Sequence, residues 1–279
     1  MILRQFMKLI RWQNLIIIAV AQILTAIALV PTVEPATIIS SYRFLLLVVS
    51  TVIIAAGGYI INDYYDIKID YINRPNRVVA GRYFSRRVIL ASHGITTFIG
   101  IIAGLFAGYS IGAVAFFAAG LLWLYSNQLK RLPIFGNLSI AFLTGLSVFV
   151  VYIFYLQSLF LISAYAIFAF VISVIREIIK DCEDIEGDRK FDCKTLPVVV
   201  GIRKTKIVIY ISILLLLVFA GLLLHKEPTM IYILSGLVLM MSGLTYLVIK
   251  ADTVAHFSSL SQTCKVIMVI GMLSMFLFK

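Results

Sequence analysis

The chain has 279 residues, 62% of them hydrophobic and 13% charged, with a mean hydropathy of +1.04. A soluble domain carries about 45–50% apolar and about 25% charged residues, so this composition excludes an ordinary water-soluble protein and places the chain in a bilayer. The net charge is +11.

Apolar runs lie near 12–30, 43–61, 88–108, 111–125, 138–156, 159–178, 206–224, 229–249 and 264–278. Each approaches or reaches the ~17–25 residues of a spanning helix. The fourth and ninth are short, and the stretch from Leu138 to Ile175 becomes two helices only through a turn at Leu156-Gln157-Ser158. The first run follows Arg4, Lys8 and Arg11 as a signal peptide would. No small-residue cleavage site comes after it and eight further runs do, so it reads as the first span. The fold expected is all-α, a polytopic membrane protein of about nine helices, with residues 1–279 as one transmembrane domain.

Orientation follows from Lys and Arg, which are retained on the cytoplasmic side. The N-terminus and alternate loops at 62–87, 126–137, 176–206 and 250–265 hold twenty-one of the 24 basic residues. That bias puts the N-terminus inside and Glu34 and Lys226 outside. The positive charge is thus mainly a topology signal, with anionic headgroups or an anionic substrate as secondary readings. No nucleic-acid partner is expected. Cys182, Cys193 and Cys264 lack metal-ligand spacing, and His93, His225 and His256 are scattered singly, so none is given a role.

Ten of the thirteen carboxylates fall in two clusters, Asp63-Asp66-Asp70 and Glu177-Asp181-Glu183-Asp184-Glu186-Asp188-Asp192, each at the end of an apolar run. One spacing of three and then four residues recurs, in Asp63, Asp66 and Asp70 and again, 118 positions on, in Asp181, Asp184 and Asp188. On a helix those positions fall at about 0°, 300° and 340°, one acidic stripe. Anions at a helix C-terminus are disfavoured by roughly 0.3–1 kcal/mol each, and like charges at i,i+4 repel by ~0.2–0.5 kcal/mol. Solvated helix ends paired with nearby Lys and Arg are the plain reading, but they do not explain why the spacing occurs twice. An all-oxygen set suits Mg²⁺, Mn²⁺ or Ca²⁺, and Mg²⁺ usually binds through one or two carboxylates plus substrate phosphate. Two facing stripes therefore point to metal ions on a diphosphate.

These motifs resemble the UbiA-type intramembrane prenyltransferases along nearly the whole chain. Asn62-Asp63-Tyr64-Tyr65-Asp66-Ile67-Lys68-Ile69-Asp70 is similar to that family's first motif, and Arg176 to Asp188 to its second. Tyr125-Ser126 with Lys130, and Arg11 with Asn14, match further family positions. Asn73-Arg74-Pro75 leading to Arg77 and Gly81, with Thr195-Leu196-Pro197, most resembles the digeranylgeranylglyceryl phosphate synthase branch. The sequence Val79-Ala80-Gly81 departs from that branch, which usually has a second proline and a serine before the glycine.

The resemblance implies helices ringing a central cavity where Mg²⁺ and a prenyl diphosphate bind. It implies Mg²⁺ ligation, direct or through water, by Asn62, Asp63, Asp66, Asp70, Asp181, Asp184 and Asp188. Of these, Asp66, Asp70, Asp184 and Asp188 are the catalytic candidates. Arg77, Lys130 and Arg74 are candidates for the diphosphate, Asn14 and Arg11 for the acceptor headgroup, and Tyr125, Tyr64 and Tyr65 for an aromatic face toward a carbocation. The acceptor expected is geranylgeranylglyceryl phosphate, giving an ether lipid, in the plasma membrane of a prokaryote with the site facing the cytoplasm. Two alternatives stay open: an aromatic acceptor such as 4-hydroxybenzoate or dihydroxynaphthoate, and a cation transporter, whose acids usually lie nearer the midplane.

Overall fold

The computed structural model describes residues 2–73, 75, 78–224 and 230–278. Arg74, Arg77, His225 and Lys226 lie outside the described residues. The helices are α1 (Ile2–Leu9), α2 (Trp12–Leu29), α3 (Pro35–Ser40), α4 (Tyr42–Asn73), α5 (Arg86–Ala107), α6 (Tyr109–Asn127), α7 (Phe135–Tyr155), α8 (Leu159–Glu183), α9 (Ile185–Lys190), α10 (Leu196–Leu223), α11 (Met230–Lys250) and α12 (Val254–Leu273). Among the described residues nine of these are long and apolar enough to cross a membrane, α1, α3 and α9 being the exceptions. Their outward faces carry side chains such as Phe98, Phe106 and Leu239, 67%, 71% and 76% exposed. Water would penalise so large an apolar surface, and lipid accepts it.

The turn expected at 156–158 is present. Leu156 and Ser158 both take left-handed backbone, at φ 55° and 54°, and reverse the chain between α7 and α8. Three boundaries differ from the sequence reading. The basic N-terminal segment is a separate short helix, α1, because Arg11 at φ 52° breaks the path into α2. Leu9 of α1 then buries against Ile60 and Ile67 of α4. The ninth span begins at Val254 rather than near 264, so Lys265 lies within α12 and not in a loop. The second acidic stripe is not one continuous helix face. α8 stops at Glu183, and Asp184, at φ −96° and ψ 7°, turns the chain into α9, which carries Asp188.

Fully buried apolar side chains hold two groups of helices. Ile175, Ile209, Met241 and Cys264 join α8, α10, α11 and α12, while Ala26, Leu47, Val151 and Ile162 join α2, α4, α7 and α8. Hydrocarbon offers no water to satisfy a polar group, so buried polar groups here bond across helices. Gln22 of α2 donates to Thr51 Oγ1 of α4 at 3.0 Å and to the Ser147 carbonyl of α7 at 2.9 Å. Ser50 of α4 donates to the Gly100 carbonyl of α5 at 2.7 Å.

The acid-bearing ends of α4 and α8 are tied by one side chain. Asn73 Nδ2 donates to the Asp184 carbonyl at 3.2 Å, and Asn73 Oδ1 accepts from the Gly187 N–H at 2.9 Å. A Cβ at Gly187 would lie 2.4 Å from Asn73 Oδ1, so glycine permits this approach.

Candidate active site

α4 runs unbroken to Asn73, so Asn62, Asp66, Asp70 and Asn73 line one side of a polar pocket. The bend at Asp184 turns Asp181, Asp184 and Asp188 toward them from the other side. Tyr125 and Lys130, from the end of α6 and the turn after it, complete the wall. The two clusters, more than a hundred positions apart in sequence, thus face one space.

Three of the acids have side-chain partners that fix them. Asp66 accepts from Asn62 Nδ2 at 2.8 Å and is paired with the Lys130 ammonium. Asp181 accepts from Asn137 Nδ2 of α7 at 2.8 Å, and Asp188 from Thr195 Oγ1 at 3.0 Å. Burial pushes the Asp188 carboxyl up to about 6, against the opposing pull of the Thr195 hydrogen bond. Cys193 also lines the pocket, where burial raises its thiol above the ordinary range.

Asp63 stands apart from this group. It does not line the acid pocket; its carboxylate accepts from Arg11 Nη2 at 2.9 Å beside a neighbouring polar mouth. Arg11 also lies over the Tyr59 ring, 4.9 Å from its centroid, and Tyr59 OH accepts from Asn14 Nδ2 at 3.2 Å. Of the three tyrosines expected near a carbocation only Tyr125 lines the pocket or the cavity beneath it. Tyr64 instead lies under Arg86, with its ring edge-to-face against Tyr65. Tyr59 takes a cavity position that sequence reasoning missed.

Below the acids lies a mostly apolar cavity of about 190 Å³, walled by α2, α4, α6, α7 and α8. Its lining on α6 runs from Tyr125 down to Ile111, ~21 Å at the rise of an α-helix. Arg11 and Tyr125 border both the cavity and the acid pocket. A ligand with a polyanionic head and a long hydrocarbon tail therefore fits head up and tail down.

Among the described residues no three His, Cys, Asp or Glu side chains converge closely enough to cage a metal by themselves. That donor set still fits Mg²⁺, which usually takes one or two carboxylates and completes its shell with water and substrate phosphate. Asn137 and Thr195 hold the Asp181 and Asp188 carboxylates, and Asn73 holds the backbone at Asp184 and Gly187, roles that sequence reasoning did not give them. Asn73 and Thr195 had a signal in the motifs of the resemblance, and Asn73 also continues the face of Asn62, Asp66 and Asp70 by three residues, whereas Asn137 had none.

The model of the UbiA prenyltransferase family matches residues 12–263. The chain is 32% identical over 205 residues to a digeranylgeranylglyceryl phosphate synthase of Pyrococcus horikoshii, covering 74% of this chain and 72% of that protein. It is 30% identical over 280 residues to the synthase of the same name from Saccharolobus solfataricus, covering 99% and 97%. Among solved structures it is similar in fold to a UbiA homologue from Archaeoglobus fulgidus bound to DMAPP and Mg²⁺, with a TM-score of 0.71 at 14% identity over 98% of this chain and 99% of that one.

Proposed function

Because the chain belongs to the UbiA prenyltransferase family, we propose that it transfers a geranylgeranyl group from its diphosphate to the free hydroxyl of geranylgeranylglyceryl phosphate, forming an ether lipid, as one transmembrane domain. The observation that carries this reading is the junction of a two-sided acid pocket with a deep apolar cavity at Arg11 and Tyr125. The choice of acceptor is supported by relatives of that name matching up to 99% of the chain.

Asp66, Asp70, Asp181, Asp184, Asp188 and Asn62 would hold Mg²⁺, which when bound neutralises the leaving diphosphate. Asn137 and Thr195 fix Asp181 and Asp188 in place before substrate arrives, which lowers the reorganisation needed during reaction. Lys130 supplies a cation to the diphosphate oxygens. Arg74 and Arg77 are assigned there on the sequence alone. In the transfer the bond from C1 of the prenyl group to the diphosphate oxygen breaks with its electron pair on the diphosphate, the acceptor oxygen bonds to C1, and the hydroxyl proton passes to the departing diphosphate. Ile18, Ile54, Leu122 and Leu143 line the cavity and exclude water from the allylic cation, while Tyr59 and Tyr125 face it with aromatic rings. The bias of basic residues supports a cytoplasmic position for this end of the bundle, and the prokaryotic relatives support the plasma membrane of a prokaryote as its setting.

The test is incubation of purified protein with Mg²⁺, labelled geranylgeranyl diphosphate and a panel of acceptors, with identification of the product. Digeranylgeranylglyceryl phosphate as the main product is expected, at ~100-fold higher kcat/KM than for 4-hydroxybenzoate or dihydroxynaphthoate, about 2.7 kcal/mol of differential transition-state binding. A prenylated aromatic as the main product would replace the acceptor while leaving the metal site intact.

A further inference from the structure

Beside the acid pocket a second polar recess opens between the N-terminal helices α1 and α2 on one side and α12 on the other. It meets the acid pocket at Arg11, Asp70 and Lys180, and the apolar cavity at Arg11, Asn14, Arg176 and Lys180. Its α12 wall is a single polar stripe on a spanning helix, Ser258, Ser261, Gln262 and Lys265, spaced i, i+3, i+4 and i+7.

The charges of this recess do not balance. Asp63 is paired with Arg11, and Glu177 draws Arg176 at 2.5 Å and Lys180 at 3.9 Å. Lys265 is half-buried, ~17 Å along α12 from Val254, and makes no hydrogen bond or ion pair among the described residues. The Arg176 Nε is buried with no acceptor. With Glu177 counted beside Arg176 and Lys180, the five basic side chains of the recess exceed the four carboxylates by one. An ionisable residue inside a spanning segment with no protein partner marks a ligand or ion pathway by default. A phosphomonoester, with about −1.5 to −2 charges at pH 7, matches the surplus in sign.

We propose that this recess is a phosphomonoester subsite in which Lys265 and Arg176, with Gln262 and Ser261 as hydrogen-bond donors, hold the headgroup of the lipid acceptor. The assignment rests on the glycerol phosphate lipid reading and adds the residues that select the phosphate. It separates two anions that the reaction must keep distinct. The donor's diphosphate belongs with Lys130 and the acidic clusters, and the acceptor's phosphate with α12. The glycerol hydroxyl then reaches the reacting carbon past Arg11 and Asn14, where recess and cavity meet.

The test measures binding of geranylgeranylglyceryl phosphate and of its dephosphorylated alcohol to the full-length protein in nanodiscs of zwitterionic lipid, without donor or Mg²⁺. Wild type is expected to prefer the phosphate by roughly 10–100-fold, the worth of charge-assisted hydrogen bonds. Lys265→Met is expected to cut that preference about tenfold, while Lys265→Arg keeps most of it. Unchanged affinity of Lys265→Met for the alcohol reports intact folding. Full phosphate preference in Lys265→Met, or none in wild type, overturns the subsite. Inorganic phosphate competing as well as the phospholipid would make it a free-anion site and overturn the lipid assignment. Transfer assays run in parallel separate the two claims. Lys265-dependent binding without ether product defeats the proposed reaction alone, and product formation with a Lys265-independent preference defeats the subsite alone.

Discussion

The Lys130 ammonium rests on the Asp66 carboxylate, joining the turn after α6 to the first acid cluster on α4. Asp66 is held in place on its other oxygen by Asn62. In this state lysine gives Asp66 the positive charge that a bound Mg²⁺ would give it. Both side chains are largely buried, 9% and 16% exposed, so neither charge is readily left alone.

Removal of that lysine should therefore expose the need for another cation. Lys130→Met is expected to lower stability by about 1–3 kcal/mol in chelator, through the unpaired Asp66, with much of the loss recovered in Mg²⁺. Thermal unfolding with and without Mg²⁺ measures this. Equal destabilisation in both conditions would mean that the metal does not reach Asp66.

The Asn73 link gives a second outcome. A methyl at position 187 meets the Asn73 side chain at 2.4 Å, so Gly187→Ala should destabilise the junction of α4 and α9 by about 1–3 kcal/mol and reduce turnover. Adding Asn73→Ala removes the obstacle, so the double variant should lose less stability than the sum of the singles. Strict additivity in the unfolding data would contradict the contact.

The cavity sets a limit on tail length. Val114 lines its lower part on α6, about eleven residues below Tyr125, ~16 Å along the helix. Val114→Phe is expected to reduce kcat/KM for geranylgeranyl diphosphate about tenfold relative to geranyl diphosphate, because only the longer tail reaches that depth. Competition between labelled donors reads the ratio, and an unchanged ratio would place the tail elsewhere.

Most of the fold was legible because each span is encoded locally by its own apolar run. The turn at 156–158 and the first acid stripe were readable for the same reason, since helical spacing alone places Asp63, Asp66 and Asp70 on one side. Two parts were not. The bend at Asp184 arises where a crowded anionic helix end meets Asn73, a contact formed by residues 111 and 114 positions apart. Asn137 is an ordinary polar residue in sequence and Thr195 stood out only as part of a motif, and only packing puts them against Asp181 and Asp188. Asp63 shows the reverse case, since its spacing is that of the stripe but Arg11 draws its carboxylate to the adjoining recess.

Orientation can be checked in intact cells with an impermeant thiol reagent on single-cysteine variants. A cysteine at Ser85, which caps α5 at the basic end, should stay unlabelled, and one at Glu34, before α3, should label. Labelling at Ser85 would invert the arrangement.

The most direct measurement of the central claim, that two acid clusters form one metal-dependent site, is the turnover of Asp66→Asn and Asp184→Asn at saturating Mg²⁺ and donor. Both side chains border the same pocket from opposite sides. Each substitution removes a ligand charge while keeping the shape. The account expects kcat to fall by ~10²-fold or more in each, with the protein still folded, since both act on the departing diphosphate. Near wild-type turnover in either variant would contradict it.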